Sequence, residues 1–66
     1  MAVIMFIGTS HYVVEDTVAD CVNAAITEQL IGCEEDINTG DYDIEFRNIA
    51  DTALKVRVKI SEYIIE

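Results

Sequence analysis

The first 46 residues contain no lysine and no arginine, although they hold ten of the thirteen acids. Residues 47–66 carry the other three acids and all four basic residues, Arg47, Lys55, Arg57 and Lys59, and the chain totals −9. Binding to nucleic acid is carried by cations set against phosphates, so this field argues against nucleic acid or an anionic membrane as a direct partner. Proline is absent, and no low-complexity stretch or internal repeat interrupts the chain. Residues 1–66 therefore read as a single domain. The apolar start, Ala2–Ile7, falls far short of the roughly 20 residues a membrane span requires. It also lacks the basic flank and cleavage-type site of a secretory signal, so a cytoplasmic protein is expected.

Histidine occurs once, at His11, and cysteine twice, at Cys21 and Cys33. These are too few and too scattered for a structural zinc site. A nucleophile paired with His11 would also need an oriented base and an oxyanion site, which nothing in the sequence marks. No enzyme activity, cofactor or metal is expected. A helix of twelve residues between the cysteines would hold them about 18 Å apart, and a disulfide needs Cα atoms within about 7 Å. Two free thiols filling a core in a reducing compartment are the expectation. The run Asp36-Ile-Asn38-Thr-Gly40-Asp41-Tyr-Asp43 looks at first like a calcium loop. An EF-hand needs an oxygen ligand at its fifth place, glycine at its sixth and glutamate at its twelfth, where this chain has Gly40, Asp41 and Arg47. A solvated acidic turn is the expected reading.

Apolar residues make up 52% of the chain. A domain this small buries only about 60% of its unfolded surface, so the excess favours contacts with a partner or a second copy. Ala2–Ile7 is apolar on both faces, as a central or interface strand would be. His11–Val14 either continues it past a bulge at Gly8 or returns as a second strand, and the hairpin is favoured. A helix is predicted over 17–31. Thr17 caps it, with Asp20 three residues on. Val18, Cys21, Val22, Ala25 and Ile26 lie on one arc, while Asp16, Asp20, Asn23, Thr27 and Glu28 lie on the other. Gly32 is the expected stop. Cys33–Asp41 reads as a loop that opens on Glu34-Glu35-Asp36.

The last third alternates as a hairpin over 41–60 about a turn at Asn48–Thr52. That register sets Phe46 against Leu54, Ile44 against Val56 and Tyr42 against Val58. On the outer face it pairs Glu45 with Lys55, Asp43 with Arg57 and Asp41 with Lys59. Continuing the strand turns Glu62 inward and points Tyr63 and Ile65 outward as an exposed apolar patch, unless a bulge near Ser61-Glu62 resets the phase. The expected fold class is α+β: a small two-layer domain of β(β)αββ order, with one amphipathic helix packed on an antiparallel sheet of three or four strands.

Two functions follow from these features. The first is an acidic inhibitor that covers a basic, nucleic-acid-binding surface of a target protein by charge mimicry. Asp20, Glu28, Glu34, Glu35, Asp36 and Asp41 would carry that contact. In size and composition the chain resembles the small phage-encoded inhibitors of host defence and repair, such as anti-CRISPR proteins and the uracil-DNA glycosylase inhibitor. The likeness is one of kind, with no motif and no residue carried over. The second is an accessory module that assembles through apolar strand edges, as a homodimer for instance, with Tyr63 and Ile65 at the contact.

Overall fold

The computed structural model describes residues 2–60 and 62–66. Eight elements follow in order: β1 (Val3–Ile7), β2 (His11–Glu15), α1 (Val18–Thr27), α2 (Asp36–Thr39), β3 (Ile44–Asn48), β4 (Ala53–Leu54), β5 (Val56–Lys59) and β6 (Glu62–Ile65). The fold is α+β. Strands β2-β1-β3-β4 form an antiparallel sheet in that order, and β5-β6 form a separate two-stranded ladder.

β1 is the central strand, as its two-sided apolar run implies. It meets β2 with Ile7 opposite His11, so Gly8-Thr9-Ser10 closes a hairpin. Gly8 sits at φ +61°, a left-handed conformation that glycine adopts without a Cβ penalty. On its other side β1 meets β3 with Met5 opposite Phe46. One row of side chains, Val13-Met5-Phe46-Leu54, therefore crosses all four strands on a single face. α1 lies over this face. It buries Val18, Cys21, Val22 and Ala25 against Met5, Ile7, Val13 and Phe46, while Ile26 is half-buried at the margin. Thr17 Oγ1 accepts the Asp20 N–H at 3.1 Å, the N-cap read from the sequence.

The helix ends earlier than expected. Glu28 is the C-cap and Gln29 turns left-handed at φ +61°. The Gln29 N–H reaches the Ile26 carbonyl at 3.0 Å and the Leu30 N–H reaches the Ala25 carbonyl at 2.8 Å, the two bonds of a Schellman cap. The reversal drops Ile31 into the core, a position that three more residues of helix would have moved. Gly32 is not the stop. Its N–H instead donates to Asp36 Oδ2 at 2.8 Å. Cys21 is a buried core thiol as expected, but Cys33 is exposed, because the early stop puts it on an outer turn.

The C-terminal hairpin holds at its turn and fails beyond it. Phe46 faces Leu54 and Arg47 faces Ala53. Asn48 builds the turn, with Oδ1 accepting the N–H groups of Ala50 and Thr52 at 3.0 Å each. After Leu54 the chain leaves the sheet, and Val56–Lys59 pair with β6. The expected pairings Ile44–Val56 and Tyr42–Val58 do not form, because Asp41 and Tyr42 belong to no strand. Gly40 and Asp43 are both left-handed, at φ +78° and +52°, and the Gly8 N–H binds the Tyr42 and Asp43 carbonyls. β5 finds a different neighbour: the Asn38 side-chain amide accepts the Val58 N–H at 3.0 Å and donates to its carbonyl at 2.9 Å. A side chain thus takes the place of a strand.

The end of the chain also reverses instead of running on. Val58 faces Tyr63 and Val56 faces Ile65. Tyr63 packs against the core, Glu62 is exposed, and of the expected outward pair only Ile65 stays exposed. Of the bulge expected near Ser61-Glu62, Ser61 lies outside the described residues. No helix among the described residues is long and apolar enough to cross a membrane.

Candidate acidic interaction surface

The six acids singled out in the sequence divide into two groups. Asp20 projects from the first turn of α1, Glu28 is its C-cap, Glu35 precedes α2 and Asp41 follows it, and all four are exposed. Eight residues of rise put Asp20 and Glu28 about 12 Å apart along the helix. Glu28, as the C-cap, sits at the negative end of the α1 dipole, an unfavourable placement unless water or a cation screens it.

Glu34 and Asp36 are half-buried and committed to the fold. Asp36 Oδ2 accepts the N–H groups of Gly32 and Cys33, at 2.8 and 3.1 Å, and so closes the turn that leads into α2. Glu34 Oε2 accepts the Tyr63 hydroxyl at 2.9 Å and ties that turn to β6. Burial, followed by this bond and the negative charge of Glu34 and Glu35, pushes the Tyr63 hydroxyl up to about 12. The Cys33 thiol is raised too, first by partial desolvation, then by its hydrogen bond to Glu35 and the charge of Asp36. Cys21 is raised chiefly by burial, and its Sγ donates to the Val3 carbonyl at 3.3 Å. Neither thiol sits in the electropositive setting that activates a cysteine.

The basic residues pair differently from expectation. Arg47 holds Glu45 at 2.7 Å and Asp51 at 3.2 Å, and these charges in that order raise its pKa. Arg57 pairs with Glu66 rather than Asp43. Among the described residues Lys55 and Lys59 have no carboxylate partner within 4.0 Å. The acids of α1 and of the turn after it consequently meet no lysine or arginine in any of these pairs.

Two further surfaces were not read from the sequence. A cleft of about 340 Å³ opens where β4 gives way to β5, floored by Ile37, Phe46, Leu54 and Val56 and rimmed by Glu45, Lys55 and Glu66. The other is the sheet face turned away from α1. There Phe6 lies opposite Tyr12 and Ile4 opposite Val14. The Phe6 and Tyr12 ring centroids are 6.3 Å apart, and Tyr12 and Val14 are 65% and 47% exposed. The signal was present, since Ile4 and Phe6 alternate in phase with Tyr12 and Val14 once the hairpin is closed at Ile7–His11. No protein-family model, curated protein or solved structure matches the chain.

Proposed function

We propose that this chain is a small acidic inhibitor, working in the cytoplasm, that occupies a basic, nucleic-acid-binding surface of a target protein, as phage-encoded anti-defence proteins do. The observation that carries the reading is the charge arrangement. Asp20, Glu28, Glu35 and Asp41 are exposed, in a stretch of 46 residues that has no cation to neutralise them. Carboxylates spaced along a rigid helix and its following turn can stand in for backbone phosphates against a channel lined with Lys and Arg. Such an encounter is steered by charge and weakened by salt. Glu34 and Asp36 position the turn rather than meet the partner.

The test is affinity capture from bacterial lysate, eluted with a salt gradient, with mass spectrometry of each fraction. A nucleic-acid enzyme released at moderate salt, displaced by added DNA or RNA and lost with the triple change D20K/E28K/E35K, is the expected result. Retention of that enzyme by the charge-reversed chain, or no basic protein in any fraction, would overturn the reading. Glu34 and Asp36 are left unchanged in this variant so that loss of binding reports charge and not loss of fold.

A further inference from the structure

We infer that the chain forms a two-fold homodimer in which the β2 edges of two copies pair antiparallel about Val13, extending the four-stranded sheet to eight strands. β2 borders the sheet, and among the described residues β1 is the only strand that pairs with it. Apart from that ladder, no backbone group of His11–Glu15 pairs with another backbone group among the described residues. The strand also lacks several devices that usually blunt an edge: it has no proline, no lysine and no bulge, and it pairs with β1 residue for residue.

The side chains select the partner and the register. Residues opposite one another on an antiparallel ladder share a face of the sheet. Keeping all five residues paired with a second copy leaves one register, with Val13 opposite Val13. Tyr12 then meets Val14 of the second copy, and Val14 meets its Tyr12, two aromatic to β-branched pairs on the outer face. Phe6 and Ile4 already flank them, so the apolar strip runs without a break from one copy into the next. The same register sets His11 opposite Glu15 at both ends, an imidazole against a carboxylate. His11 Nδ1 lies 3.1 Å from Ser10 Oγ, which leaves Nε2 for that contact.

The other edges are less suited. β5 is stopped by the Asn38 amide on Val58. β4 is two residues long. Carrying β6 against itself about Ile64 would set Glu62 against Glu66. Each copy carries a net charge of −9, so salt screens the repulsion between copies and strengthens this association, whereas it weakens capture of a basic partner. The two readings can thus fail separately.

The test is sedimentation equilibrium at low and high salt, with amide hydrogen exchange followed against concentration. A species of twice the 7.4 kDa chain mass, favoured by salt and showing added protection confined to β2, is expected. Val14→Lys and His11→Glu each raise its dissociation constant about tenfold or more, since the two-fold axis doubles each change. The charge swap H11E/E15K restores it to within about threefold of wild type. These positions are exposed, so circular dichroism should show an unchanged fold. A chain that stays monomeric at every salt concentration, or a dimer indifferent to both V14K and H11E, would overturn the inference.

Discussion

Tyr63 donates its hydroxyl to Glu34 Oε2 at 2.9 Å, across 29 positions of sequence. The bond joins the turn after α1 to the last strand. Both residues are half-buried, and each satisfies the other at the margin of the core.

Replacing Tyr63 by Phe removes this bond while keeping the ring, and should lower stability by about 1–2 kcal/mol at neutral pH. The pH dependence has a defined sign. The folded hydroxyl is raised from 10.0 to about 12, so the folded state favours the neutral phenol. That stabilisation is complete below about pH 10 and is lost as pH rises toward 12. Urea midpoints across this range should fall more steeply for wild type than for Y63F, and parallel curves would refute the linkage.

Asn38 stabilises β5 through two hydrogen bonds to one residue. Asn38→Ala leaves the Val58 N–H and carbonyl without these partners and should cost about 1–3 kcal/mol. Asn38→Asp keeps the acceptor but sets a carboxylate against the Val58 carbonyl, so it should rescue little. Hydrogen exchange of the Val58 amide checks both variants, since it should accelerate in N38A with the β1–β2 amides little changed.

Gln29 gives the opposite sign. It holds the left-handed position of the Schellman cap, at φ +61°, with a Cβ that disfavours it. Gln29→Gly should raise stability by about 0.5–1 kcal/mol, although glycine is a poor helix former, because residue 29 lies beyond the helix. A lowered melting temperature in Q29G would show that the side chain outweighs the backbone.

The parts legible in the sequence were those governed by local chemistry. The Thr17 cap, the inward arc of α1, the turn at Asn48–Thr52 and the Phe46–Leu54 register all follow from residue type and spacing. What could not be read depended on distant segments. The alternation of Tyr42, Ile44 and Phe46 looks like one strand, and only the binding of Gly8 to the Tyr42 and Asp43 carbonyls reveals the break. The three opposite-charge pairs were consistent with one another and still did not form, since each is worth only a few tenths of a kcal/mol to about 1 and cannot outweigh the backbone's choice of neighbour. For the candidate surface, sequence identified the exposed acids Asp20, Glu28, Glu35 and Asp41. It could not separate them from Glu34 and Asp36, whose roles depend on Tyr63 and on the helix stopping early at Gln29.

The Asn38 amide on Val58 bears on how far association can go. Unlimited growth by strand addition requires two different open edges, so that each newcomer presents a fresh one. With β5 stoppered by its own asparagine, and the five-residue ladder of β2 satisfied by a twin in the proposed dimer, neither of these two edges would be left for a third chain. A single amide side chain thus helps separate a closed pair from a fibre, and N38A would be the variant to watch for slow, concentration-dependent turbidity.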